Sequence, residues 1–237
     1  MAGRQPEESV RVAAVCQRWR TMTFLHWSFE PQALQALLPD DLEVDTHEGK
    51  AWVGLTPFLM EDFSVGCLPP IPGLSTFPET NVRTYVRGPD GRDGLWFLSL
   101  EADSLPTVVG ASLGYGVPYR WAEMRVDAAQ TVRYRSRRRL GSSAGHDITI
   151  RPERPYGADE ASHLDHWLTG RWRAYTKIAG RLAVVPVQHE PWPLWHAEVE
   201  RLEQDLLEAA GVPAVEGEPL VHYAPEVDVR LGAPHLR

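Results

Sequence analysis

Nine histidines, two cysteines and only two lysines set narrow limits on the chemistry open to this chain of 237 residues. His163 and His166, in the run HLDH, have the three-residue spacing that puts two imidazoles on one helical face, and His189 and His196 would complete a metal set. A zinc site needs ligands held at a tight, repeated spacing. The chain has no CxxC pair and no third ligand at a fixed offset from HLDH, so surface or helix-capping histidines are expected, and no metal. Gly110 to Gly114, GASLG, spells the G-x-S-x-G of a nucleophile elbow around Ser112. An elbow requires a strand before the serine and a helix after it. Here the helix-like PTVVGA comes first and a turn at Gly116 to Pro118 follows, so no hydrolase elbow is expected. Neither a P-loop nor a Rossmann glycine fingerprint occurs, and no cofactor is expected.

The 24 basic residues are 22 arginines and the lysines Lys50 and Lys177, so imine chemistry has only two candidates. Arg133, Arg135, Arg137, Arg138 and Arg139 form the one basic run, in which Val132, Tyr134 and Ser136 alternate with arginine at period two. That pattern reads as the solvated face of a strand. The net charge of −8 opposes non-specific nucleic-acid binding. The longest apolar runs, Trp52 to Met60 and Val108 to Val117, are about ten residues, against the ~20 that span a bilayer. The N-terminal MAGRQPEESV has no apolar run after its arginine, and two cysteines are too few for a stapled secreted scaffold. No nucleic acid, no membrane and a cytoplasmic address are the resulting expectations.

The elements that must position any site are mostly short strands. Alternation predicts strands in VRVAAVC, MTFLHWSF, LEVDTHEGKAWVGLTPFLM with a turn at His47 to Gly49, ETNVRTYVRG and LWFLSLEAD. Further strands are expected in PYRWAEMRV, AQTVRYRSRR, HDITIRPE, RWRAYTKIAG, RLAVVPVQH and VHYAPEVDVRLG. EPQALQALLP, with Leu34, Leu37 and Leu38 at helical spacing, and PTVVGASLGYG, stopped by glycine, read as short helices. Glu198 to Ala210 reads as another helix, with Val199, Leu202, Leu206 and Ala210 on one side and Gly211 as its stop. GCLPPIPGLSTFP, with four prolines and two glycines, is a long irregular loop of the kind that often carries function. The pattern is that of one α+β domain over residues 10–237, predominantly antiparallel β, behind a flexible polar tail over residues 1–9.

Six strings, ALLPDDLEVDTHEGKAWVGLTPFLM, FPETNVRTYV, LWFLSLEADS, VPYRWAEM, WLTGRWRAYT and HEPWPLWHAEV, resemble the YqjF-like family of bacterial proteins from about Trp19 to Val229. Thr80 stands where that family commonly has leucine, and Ser112 where it commonly has arginine. The family in turn resembles the acetoacetate decarboxylase-like superfamily. That resemblance implies a closed, cone-shaped antiparallel β-barrel with a few short helices and a buried pocket.

In acetoacetate decarboxylase an amine forms a Schiff base with a keto acid, its pKa lowered by an apolar site and a neighbouring cation. The decarboxylase motif Gly-Tyr-Pro-Lys-Lys is similar to Gly116-Val117-Pro118-Tyr119-Arg120, which puts Tyr119 at the imine-forming position and Arg120 at its cationic neighbour. Phenol and guanidinium make no imine. The resemblance also carries the active-site arginine onto Arg20 and the active-site glutamate onto Glu79. Glu79 and Tyr119 are thus the candidate catalytic pair, with Arg20, Arg83 and Arg120 as candidate substrate-binding residues. Such a set suits a small organic acid or carbonyl compound, because arginine offers a bidentate fork, a buried glutamate an acid or base, and tyrosine a hydroxyl that polarises a carbonyl. The alternative for Glu79 and Arg83, four apart on one strand face, is a satisfied structural ion pair. Three classes follow: a lyase, isomerase or hydrolase working without a Schiff base; a non-catalytic small-molecule binding or resistance barrel; and a structural unit, with homo-oligomerisation as its use.

Overall fold

A computed structural model describes residues 9–237. The tail expected over residues 1–9 lies outside the described residues apart from the exposed Ser9. Two long strands, β1 (Val15–Phe29) and β3 (Ala51–Val65), flank the single-turn helix α1 (Pro31–Gln35) and the two-residue β2 (Glu43–Val44). VRVAAVC and MTFLHWSF, read as separate strands, contribute to one continuous β1, which opens only at Val15. β4 (Phe77–Arg87) and β5 (Asp93–Ala102) form a hairpin around Gly88 to Gly91 and lead into α2 (Leu105–Tyr115). β6 (Tyr119–Ala128), β7 (Val132–Arg138) and β8 (Gly145–Pro155) make a meander, and α3 (His163–Thr169) precedes the hairpin of β9 (Arg173–Ile178) and β10 (Arg181–His189). β11 (Trp195–Gln204), the single turn α4 (Leu206–Ala209), β12 (Leu220–Leu231) and β13 (His235–Leu236) complete the chain. No helix among the described residues is long and apolar enough to cross a membrane.

The ladders close on themselves, giving a closed barrel without a free edge through its centre. A nine-strand circuit runs β5, β6, β7, β8, β11, β12, β1, β3, β4 and back to β5. A shorter circuit of seven leaves β5 through β9 and β10 to β12, then returns by β1, β3 and β4. Pairing is antiparallel except where β5 meets β6 and β9. The strands common to both circuits form a wall with two buried faces. Since successive strand residues face opposite ways, Thr80, Val82 and Thr84 of β4 face the longer circuit, and Glu79, Asn81 and Arg83 the shorter one. The longer circuit is filled: Leu25, Leu55, Val82, Tyr134, Ile148 and Ile150 belong to one buried apolar cluster, sealed by Leu34 and Leu206 from α1 and α4. Thr80 meets the His146 ring there, at 2.8 Å.

Residues 198–204 are strand, not the helix expected over Glu198 to Ala210. β11 pairs with β8 and carries a register shift between Val199 and Arg201. A bulge adds one residue to a strand face, which turns ordinary alternation into the three-residue spacing of Val199 and Leu202 that mimics a helix. Cross-strand ion pairs from Arg151 to Glu198 and Glu200 hold the strand in place.

The arginine run lies on β7 as the alternation predicts, with Arg133 on Asp147 and Arg135 on Asp127. Arg138 departs from it, being buried against Glu101 at 2.6 Å. Cys16 and Cys67 form a disulfide, which ties the start of the proline-rich loop to β1. α2 has proline in its first turn and Ser104 as its N-cap, and it ends at Gly116 in the left-handed conformation (φ 66°). A Cβ at Gly116 would sit 2.1 Å from the Lys177 carbonyl oxygen, so α2 docks on β9 where only glycine fits.

Candidate functional site

The shorter circuit encloses a cavity of about 730 Å³ to which each of its seven strands contributes lining residues. Its walls are mainly apolar, among them Met22, Phe58, Met60, Phe97, Val187 and Trp192. α2 and the proline-rich loop form its rim: Gly110, Ala111 and Tyr115 come from one, Leu68, Ile71 and Leu74 from the other. Several charged or titratable groups stand among small polar ones such as Gln17, Ser64 and Thr107. Glu79, Asn81 and Arg83 project from β4, Tyr119 from the first position of β6, Arg171 from the link between α3 and β9, and His189 from the end of β10.

The Tyr119 hydroxyl donates to Glu79 Oε2 at 2.8 Å. Glu79 is 4% exposed, and burial raises its pKa to about 8, against the hydrogen bond from Tyr119, which favours the carboxylate, and with help from Glu101. Burial likewise holds the Tyr119 phenol protonated, reinforced by the carboxylate beside it. Glu79 is thus a neutral carboxylic acid at neutral pH with one oxygen engaged by Tyr119.

Arg83 is 5% exposed. Its guanidinium lies 5.3 Å from the Phe24 ring centroid, its Nε has no hydrogen-bond partner, and no carboxylate among the described residues pairs with it. Burial lowers its pKa, and the Tyr85 phenol favours its charge. The ion pair weighed between Glu79 and Arg83 is not formed. Arg171 is the contrasting case: equally buried, it bonds Asp45 and Asp93 at 2.9 Å each and stacks on Tyr85 and Trp167. A buried cation without an anion is unfavourable.

The other two arginines stand elsewhere, for reasons of strand parity. Val15, Gln17 and Trp19 of β1 face the cavity, but so does Met22, because Thr21 has positive φ (49°) and the β1–β3 register shifts between Arg20 and Leu25. Arg20 falls on the outer face of that irregularity, 47% exposed and paired with Glu61 at 3.2 Å and Glu226 at 3.7 Å. Arg120 follows Tyr119 on a regular strand and so points outward into solvent. The structure joins Glu79 to Tyr119, sets Arg83 in the same cavity, and separates Arg20 and Arg120 from them. Both lysines lie outside the cavity, Lys50 with Glu30 and Lys177 with Asp41.

Ser112 lies inside α2, preceded by helix, so GASLG makes no elbow. The histidines disperse. His163 meets His47, His196 meets Glu160, and His166 lines a separate cleft of about 340 Å³. Among the described residues no three metal-ligating side chains gather. Asn81, Arg171 and His189 line the cavity too; the sequence reading gave Asn81 and Arg171 no role and weighed His189 only for a metal set. Burial lowers the His189 pKa to about 4, so the ring is neutral; it packs on Trp172 and Trp192 with Nδ1 at 2.6 Å from the Glu190 carbonyl oxygen. For Asn81 the usable signal was its alternation with Glu79 on one strand face.

Comparison with known proteins places these residues in a family. A model of the family DUF2071, described as an uncharacterized conserved protein, matches residues 16–228. Uncharacterized protein YqjF of Bacillus subtilis (strain 168) is 38% identical over 215 residues, which span 90% of this chain and 88% of that one. Acetoacetate decarboxylase from Legionella pneumophila superposes with a TM-score of 0.65 at 15% identity, covering 94% of this chain and 87% of the other. The enduracididine biosynthesis enzyme MppR, complexed with pyruvate, superposes with a TM-score of 0.65 at 13% identity, covering 97% and 93%. At such identities the superpositions establish the fold, and the match to the family model and to YqjF establishes the lineage: the chain belongs to the DUF2071 family of YqjF-like proteins.

Proposed function

We propose that this protein is an imine-free acid–base enzyme, of the lyase, isomerase or hydrolase type, acting on an organic acid that also carries a carbonyl group. The observation that carries this reading is one cavity holding a glutamic acid poised near neutrality, a tyrosine bonded to it, and a buried guanidinium with no anion. Arg83 holds the ligand carboxylate. With Oε2 engaged by Tyr119, Oε1 of Glu79 is left to exchange a proton with substrate. In the carboxylate form it removes the hydrogen on the carbon next to the carbonyl: the C–H bond breaks, its electron pair enters the enolate, and the proton goes to Glu79, which returns it to a different atom or face. A pKa of about 8 keeps both forms populated near neutrality. Two fold relatives support the ligand class: one is an acetoacetate decarboxylase, and MppR holds pyruvate.

The test is proton exchange. Keto acids incubated with the protein in heavy water should gain deuterium next to the carbonyl faster than in buffer, and Glu79→Gln should remove the acceleration. Equal exchange with both proteins across the panel would leave a binding barrel, the reading that the apolar walls favour, in place of an enzyme.

A further inference from the structure

Cavity size separates the classes of acid that this site can take. About 730 Å³ is room for roughly 24 waters at about 30 Å³ each. A keto acid of about six heavy atoms would displace only a few of them, leaving the rest against Met22, Phe58, Met60 and Phe97, which offer water no hydrogen bonds.

β4 gives the cavity its axis. The proline-rich loop passes into β4 at Phe77, Glu79 comes next, then Asn81, and Arg83 lies deepest, about 13 Å beyond Glu79 at the usual rise per residue. At the other end Leu68 and Ile71 line the cavity while 68% and 59% exposed, so they mark its mouth. Facing them is α2, and neither α2 nor residues 66–78 carry a charge. One uncompensated cation at the bottom, an apolar barrel and an uncharged apolar mouth describe an amphipathic occupant with a single anionic head.

Resting on the reading that Arg83 receives a carboxylate, we infer that the ligand is a long-chain amphipathic monocarboxylate, bound head first. Its carboxylate sits on Arg83, its chain passes the Glu79–Tyr119 pair, and its apolar tail lies between the proline-rich loop and α2. A carbonyl partway along that chain is the group that Glu79 meets.

Trp19 and Trp192 line the cavity and report occupancy by fluorescence. The probes are straight-chain carboxylates from butanoate to dodecanoate, the matching alcohols, and pyruvate. Affinity should rise by about fourfold per added methylene before levelling off. Acids should bind at least about tenfold more tightly than alcohols of equal length, a preference that Arg83→Gln should erase. Leu68→Glu, at an exposed position that folding tolerates, should weaken dodecanoate by about tenfold and leave butanoate unchanged. Pyruvate or butanoate binding as tightly as dodecanoate, still dependent on Arg83, would overturn the long-chain inference and keep the carboxylate reading. Binding of every acid unaffected by Arg83→Gln would overturn both.

Discussion

Tyr119 opens β6 and Glu79 lies near the start of β4, and their side chains meet inside the barrel with the phenol donating to the carboxyl at 2.8 Å. The pair is a neutral acid held by a neutral donor, and its position is fixed by β5. That strand pairs antiparallel with β4 at Glu79↔Ala102 and parallel with β6 at Ala102↔Trp121. Replacing Tyr119 by Phe removes the interaction that favours the charged carboxyl, so the Glu79 pKa should move further up. A loss of about 1 kcal/mol in stability is expected from chemical denaturation.

Stability should depend on pH through Glu79 in a specific window. The carboxyl is protonated in the folded protein up to about pH 8 but ionises in the ordinary glutamate range, near 4.5, when unfolded. Its contribution is therefore fully present below 4.5 and is lost as pH rises through 8. The difference between wild type and Glu79→Gln, measured by denaturation from pH 4 to 9, isolates this from the buried histidines, which act in the opposite sense. It should change by up to roughly 5 kcal/mol across the window. A difference independent of pH would show that Glu79 ionises normally.

Arg83 and Arg171 are buried alike and should respond oppositely to substitution. Arg171→Met takes from Asp45 and Asp93 the cation they share, leaving each one arginine, Arg87 and Arg173, and should cost about 3 kcal/mol. Arg83→Met removes a charge that no carboxylate among the described residues compensates, and should be neutral or stabilising by about 1–2 kcal/mol. Urea midpoints of the two variants decide the matter. Strong destabilisation by Arg83→Met would make that arginine structural.

Borohydride added with acetoacetate or pyruvate should trap no covalent adduct, since the resemblance puts Tyr119 at the imine-forming position and both lysines lie outside the cavity. A stoichiometric mass increase mapped to Lys50 or Lys177 would contradict this.

Reduction should loosen the fold measurably. The Cys16–Cys67 bridge closes a loop of separation 51, for which chain entropy gives about 4 kcal/mol. Thermal melts with and without reductant read the effect.

Most strands could be read from alternation because the wall has two buried faces with different contents: Thr80 and Val82 go to the packed core, Glu79 and Asn81 to the cavity. The reading failed where a bulge shifts the face. In β11 the irregularity between Val199 and Arg201 produced a false helical spacing. In β1 the one at Thr21 turned Arg20 outward, away from the site where the resemblance had put it. Glu79 and Tyr119 were accessible through resemblance, because both sit at strand starts next to recognisable loops. His189 and Arg171 were not, since their place in the cavity comes from the β9–β10 hairpin closing the shorter circuit, a long-range pairing with no local signature. The Cys16–Cys67 pairing was hidden for the same reason.

The neutral acid of Glu79 is the feature on which the account turns, and carbon-13 NMR titration of a glutamate-labelled sample, with Glu79→Gln to assign the carboxyl resonance, measures it directly. That resonance should titrate near pH 8 and move further up in Tyr119→Phe. Titration of Glu79 in the ordinary carboxylate range, near 4.5, would contradict it.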